Sequence, residues 1–172
     1  MSRMMELLSV RGTRNFTDST IVKYLNSIGV PGKNIIFQTN ADDIVYTIEN
    51  VPVGRQNTMD STLLILYNWM ASINIDEEDI VQTVPMLRNS LIEEWDAQKR
   101  IDDKIMKGLY PKSPYAKSIT VEQINGLEGY STKELRNFYY QWFRPDLQAV
   151  FVVGDVDAAK VETQIKSIFA TI

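Results

Sequence analysis

Apolar residues recur at helical spacing near the start of the chain: Met4, Met5, Leu7 and Leu8 line up, while Arg3 and Glu6 share a face. This predicts a helix over 2–9, and taken alone it reads as an amphipathic core helix. Gly12 and Asn15 break the pattern. Ile21, Val22, Leu25 and Ile28 give a second helical stripe, with Thr17 or Asp18 as its cap and Gly29 as its stop. The period then changes. Residues 33–39 and 44–51 read as two strands joined by the polar turn Asn40-Ala41-Asp42-Asp43 and closed by Pro52 and Gly54, a hairpin or adjacent sheet pair. Over 56–73 helical spacing returns, with Met59, Leu63, Leu64, Leu66, Tyr67, Met70 and Ala71 forming a broad apolar face and Trp69 to one side.

Asp76 is placed to cap a long helical region over 77–109, with a kink predicted near Pro85. The acidic run Glu77-Glu78-Asp79 complements the dipole at that helix start rather than forming a metal cluster. Pro111 and Pro114 set an irregular loop. Thr120-Val121-Glu122-Gln123 and Ser131-Thr132-Lys133-Glu134 have the form of capping boxes and predict two short helices. In the second, the cluster Phe138, Tyr139, Tyr140, Trp142 and Phe143 reads as core rather than as a stacking platform. Residues 147–153 are a continuous apolar run suited to a fully buried strand, and a last helix is predicted over 158–169.

Composition narrows the function classes. A chain of 172 residues suits one domain or one lobe of something larger, and 44% apolar with 23% charged residues is ordinary for a globular fold. A net charge of −4 with no basic stripe argues against a nucleic-acid partner. No run approaches 18 apolar residues, so no membrane span is expected, and the start lacks the apolar core of a signal peptide. Cysteine and histidine are both absent from the sequence, which removes thiolate and imidazole chemistry and leaves the compartment unread.

The stretch Gly12-Thr13-Arg14-Asn15-Phe16 resembles the Gly-Thr-Lys-Asn-Phe that follows the zinc motif of the insulinase (pitrilysin) family of metallopeptidases. In that family the preceding residues read His-x-x-Glu-His. Counting back from Gly12 puts Arg3-Met4-Met5-Glu6-Leu7 on the motif: Glu6 holds the position of the general base, and Arg3 and Leu7 hold those of the two histidines. Residues 87–95, Leu-Arg-Asn-Ser-Leu-Ile-Glu-Glu-Trp, are similar to the segment that carries the third zinc ligand. Glu94 matches that ligand, Arg88 the family's arginine, and Leu87 stands in place of a further acidic residue. Taken alone, Glu93-Glu94 is a solvated pair. The Val45-Tyr46 pair survives, whereas Ile36-Phe37-Gln38-Thr39 keeps only the threonine of the family's Asn-Ala-x-Thr strand. Trp142-Phe143-Arg144-Pro145-Asp146-Leu147-Gln148 and Val152-Val153-Gly154-Asp155-Val156-Asp157 extend the likeness almost end to end.

The resemblance implies an α+β lobe, a mixed or antiparallel sheet packed against helices. Because family lobes carry strands ahead of the zinc-motif helix, it also implies a single lobe over 1–172, like the family's N-terminal peptidase lobe but incomplete at its N-terminus. It further implies a vestigial site with no metal and no cofactor, although active relatives use zinc, since a zinc site needs three or four protein donors. Glu6 and Glu94 alone suit a weakly held, hydrated magnesium or calcium ion. Three functional readings stand. One is a non-catalytic member that lines a peptide chamber, gripping peptide or unfolded polypeptide along the strand of Phe37 and Thr39, beside an active homologous subunit or the remaining lobes of a larger protein. The second is a zinc endopeptidase with an atypical site, and the third a plain scaffold.

Overall fold

The computed structural model describes residues 1–17, 20–40, 42–55, 57–117, 119–127 and 130–170. In chain order the elements are α1 (Ser2–Arg11), α2 (Thr20–Ser27), β1 (Ile35–Thr39), β2 (Ile44–Ile48), α3 (Thr58–Ala71), α4 (Glu77–Glu94), α5 (Ala97–Leu109), α6 (Val121–Asn125), α7 (Thr132–Trp142) and α8 (Ala158–Phe169). The class is α+β, mostly helical, with one small antiparallel sheet among the described residues. Phe37 lies opposite Tyr46 in that hairpin, and Thr39 opposite Ile44.

Two buried clusters hold these elements together. In the first, Met4, Met5 and Leu8 of α1 meet Ile80, Val84 and Leu87 of α4, and Ile124, Leu135 and Tyr139 close the far side. Leu87, at a position where the resemblance would put an acid, is therefore a core residue. The second gathers Ile21 and Leu25 of α2 with Ile65 and Trp69 of α3, beneath Phe37 and Tyr46 of the sheet. Trp69 is at its centre: its ring lies 5.2 Å from that of Phe37 and 5.6 Å from that of Tyr46. The sequence pattern put Trp69 to one side because α3 is covered from two directions. The hairpin packs on one flank, while α8 packs on another through Tyr67 and Phe169. A helix wrapped in this way has no single apolar stripe to read.

The Gly12–Phe16 landmark has a structural task. Asn74 N–H donates to the Gly12 carbonyl at 3.0 Å, and Arg14 N–H donates to that of Ser72 at 2.9 Å. Asn15 N–H donates to the Asn68 side chain. A side chain at position 12 would meet the Asn74 amide at 3.3 Å, so a residue without one suits this close approach. The segment thus seats the end of α1 on the α3–α4 connection.

Several expectations are met by residue chemistry. Asp76 caps α4 by accepting from Asp79 N–H, and both capping boxes form, Thr120 with Gln123 and Ser131 with Glu134. Gly29 adopts φ +91 at the end of α2. The proposed cap Asp18, the turn residue Ala41 and the helix start at Gln56 lie outside the described residues.

Three expectations are corrected. The 77–109 helix is two helices, and the break falls at Trp95–Asp96 rather than at Pro85. Pro85 sits on the outer side of α4, whereas Asp96 accepts from Lys99 N–H and starts a new helix. The aromatic cluster of α7 is only partly core. Tyr139 is buried and Phe138 and Phe143 pack against it, but Tyr140 and Trp142 are exposed, because one helix face cannot hold five consecutive-register rings. Residues 147–153 form no strand. Leu147 ends a short 3-10 turn, Gln148 is extended, and residues 149–153 alternate between exposed and half-buried; among the described residues they have no ladder partner, and Phe151 and Val153 are 84% and 96% exposed.

Candidate functional site: a guanidinium between two carboxylates

Helices α1 and α4 run antiparallel and are bonded at both ends by an arginine of α1. Arg11 Nε donates to Asp79 Oδ1 at 2.6 Å, and its other nitrogen donates to Gln82. At the opposite end, Arg3 donates to Glu94 Oε1 and to Ser90 Oγ at 3.5 Å. The same guanidinium faces Glu6, with Nε 3.6 Å from Oε2. Spacing brings Arg3 and Glu6 together because they lie one turn apart on α1. Tertiary packing of α1 on α4 brings in Glu94.

Glu6 is the buried member. Its side chain is 8% exposed, against 35% for Arg3 and 50% for Glu94. Its other oxygen, Oε1, accepts from Thr39 Oγ1 at the end of β1. Burial raises the Glu6 pKa above the ordinary carboxylate value; the Thr39 hydroxyl and the Arg3 charge pull it back, and the Glu94 charge pushes it up again. Nearby, burial and the Glu6 charge raise the Tyr46 phenol, whose oxygen has no hydrogen-bond partner in standard geometry. Trp69 Nε1–H and the Ser9 carbonyl at 3.1 Å tie the floor of the site to the second core cluster.

The residues singled out from sequence fall into two groups. Arg3, Glu6, Thr39 and Glu94 converge on one spot. Leu7, which the resemblance aligns with the second histidine, is partly buried and packs on the first core cluster. Phe37 does not join them: its ring turns inward onto Tyr46 and Trp69. Strand alternation gives β1 two faces, with Phe37 and Thr39 inward and Ile36 and Gln38 exposed. Among the described residues no further strand pairs with the outer edge of β1, and Ile36 and Gln38 of its other face are exposed. Ser90 is the one site member missed from sequence, although it lies one turn before Glu94, at the spacing that puts both on one face.

These residues do not fit a zinc ion. Among the described residues there is no group of three or more carboxylate, imidazole or thiolate side chains able to hold a metal. The two carboxylates present are already bridged by a cation. Nor does any described helix have the length and apolarity to cross a membrane.

Comparisons with known proteins agree with this fold. A family model described as the Peptidase M16 inactive domain matches residues 130–172, a stretch that excludes Arg3, Glu6 and Glu94. The probable zinc protease PqqL of Haemophilus influenzae is 23% identical over 96% of this chain, and a PQQL-like zinc protease of Arabidopsis thaliana is 27% identical over 98%. The chain spans 18% of the length of each. In structure it superposes on the periplasmic protease PqqL of Escherichia coli with a TM-score of 0.89 at 18% identity, covering 99% of this chain and 19% of that one. The first half of the same protease gives a TM-score of 0.84 at 17% identity, covering 99% of this chain and 36% of that one. The chain thus shares the fold of a solved PqqL protease along nearly its whole length, and its last quarter matches the M16 inactive domain, which makes it similar to part of an insulinase-type, or M16, protein.

Proposed function

We propose that this domain is a non-catalytic member of the family, which lines a peptide-binding chamber and grips extended polypeptide without cutting it. One observation carries the reading: the Arg3 guanidinium lies across Glu6 and Glu94, where catalysis of this type needs a metal-bound water. Glu6 keeps the general-base position, but a base without an activated water has little to deprotonate. The absence of histidine and cysteine from all 172 residues leaves no imidazole or thiolate ligand to recruit from within this chain. The remaining lobes of a longer protein, or a homologous active subunit, complete the chamber; the relatives' fivefold greater length supports this part of the reading. The grip is assigned to the outer backbone edge of β1, where an extended peptide adds as a further strand. Phe37 and Thr39 serve it from below by fixing the strand on α3 and on Glu6.

The competing reading is a zinc endopeptidase with an unusual site, and the names of the relatives favour it. One experiment separates the two. The purified chain is incubated with a fluorescent unfolded peptide, with and without zinc. Binding with no cleavage in either condition is expected. Zinc-dependent cleavage that disappears in Glu6→Gln would overturn the proposal in favour of the peptidase. Neither binding nor cleavage would leave a scaffold.

A further inference from the structure

Each charge at this site is badly placed on its own helix. Glu93 and Glu94 occupy the last turn of α4, which has no basic residue, and unpaired carbonyls concentrate negative potential there. Arg3 occupies the first turn of α1, which has no acidic residue, and the potential there is positive. Each helix end offsets the other's misplaced charge only when the two are packed together. Glu6 adds a third element, a buried carboxylate that needs a cation at this spot and has Arg3 facing it at 3.6 Å. Ser90 Oγ donates to Glu94 Oε1 at 3.1 Å, the oxygen that Arg3 also engages, and Thr39 Oγ1 donates to Glu6 Oε1 while Oε2 faces the guanidinium, so a hydroxyl donor fixes each acid.

We propose that Arg3 is a resident internal cation: its guanidinium takes the structural place of a divalent metal, and beneath it lies a latent site for a small free cation. The inference rests on the reading of this domain as metal-free and deepens it. A divalent ion at such a site joins two carboxylates from two helices and cancels their repulsion. Arg3 does both, through a side chain that remains charged in low dielectric and presents several donors in one plane. It leaves zinc no room and no need. Shortening residue 3 to alanine removes the cation but leaves the Glu6 and Glu94 carboxylates and the Ser90 hydroxyl facing the space it occupied. That oxygen-rich set suits guanidinium itself, or calcium or magnesium, better than it suits zinc.

The test compares thermal melts of the full chain and its Arg3→Ala variant in low guanidinium chloride and in sodium chloride of equal ionic strength. The variant is expected to melt lower than wild type by roughly 4–8 °C, since it leaves a buried carboxylate uncompensated. Low guanidinium should raise the variant's midpoint above its sodium chloride control while giving wild type no gain. Adding Glu94→Gln to Arg3→Ala should recover part of the loss and remove the guanidinium response. Identical midpoints for wild type and Arg3→Ala, or an identical guanidinium response in both, would overturn the proposal, as would stoichiometric zinc on the wild-type chain. Should Arg3→Ala not fold, Arg3→Lys decides: melting between wild type and the unfolded variant supports the cation, and failure to fold points to packing and overturns it. Peptide capture is scored separately. A missing cation effect with capture present leaves the functional reading in place, and the reverse result leaves the cation in place.

Discussion

Residues 4–8 and 147–153 look alike in one-dimensional terms, two short apolar runs that read as core. In the fold they part company. Met4, Met5 and Leu8 are fully buried against α4, whereas Phe151 and Val153 are almost fully exposed. The difference lies in the backbone. A helix satisfies its own N–H and C=O groups, so α1 needs only a surface to pack on, and α4 supplies it. An extended segment needs neighbours for its backbone as well. Gln148 fixes the run on α3 by donating from its side chain to the Met70 carbonyl, and Val150 and Val152 are half-buried. The alternate residues and the backbone groups are left uncovered, as on an unpaired sheet edge.

The sharpest way to break this comparison is to truncate one residue in each run. Leu8→Ala opens a cavity between α1 and α4 and should destabilise the chain by about 2–5 kcal/mol. Phe151→Ala should change stability by no more than about 0.5 kcal/mol, despite removing the larger side chain. Urea denaturation of both variants gives the answer, and a large loss for Phe151→Ala would mean the run is core after all. The exposed run should also make the chain self-associate. Sedimentation velocity at rising concentration is expected to show oligomers and apolar-dye binding, both reduced in Phe151→Lys/Val153→Lys without loss of melting temperature. A monodisperse monomer that binds no dye would remove the unpaired edge from the account.

What could be read from the sequence follows the same division between local and non-local. The caps at Asp76, Thr120 and Ser131 were legible because each involves residues three apart. Helix α1 was legible from its spacing, and the hairpin from its polar turn. The convergence of Arg3, Glu6 and Glu94 was reachable only through the family resemblance, since no periodicity relates residues 91 positions apart. Trp69 was misplaced because a helix covered on two flanks shows no clean stripe. The 147–153 run misleads because apolar continuity reports what a segment would bury in a sheet, not whether a neighbouring strand is there. Ser90 carries no signal of its own, since a lone serine on a helix is uninformative until its partner is known.

The two ends of the α1–α4 contact sharpen the comparison further. Arg11 pairs with Asp79 at the other end from Arg3, but both partners there are partly exposed, and no buried carboxylate depends on them. Arg11→Ala should therefore cost only about 0.5–1 kcal/mol, and its effect should shrink as salt is raised. The loss in Arg3→Ala should be larger and less salt-sensitive, because Glu6 is buried. Equal losses with equal salt dependence would make the two ends equivalent surface pairs.

The smallest expected effect is a change in the shape of the pH profile at Glu6. Burial, the dominant influence, raises this carboxyl above its ordinary value, even with Thr39 and Arg3 pulling the other way. The folded chain therefore holds the Glu6 proton to a higher pH than the unfolded chain does. Below the unfolded value, about 4.3 for a glutamate, both states are protonated and Glu6 contributes no penalty. As pH rises through the raised folded value, the unfolded state ionises more readily, and stability falls relative to a neutral side chain. Above that value the penalty is complete and flat. Glu6→Gln keeps the shape and an acceptor for Thr39 but cannot ionise. The stability difference, wild type minus variant, should thus become more negative from about pH 4 towards neutrality, then level off. Urea titrations of both proteins across that range measure it. A difference that instead grows in favour of wild type as pH rises would mean that Arg3 and Thr39 outweigh burial, and that Glu6 is held as a stabilising anion.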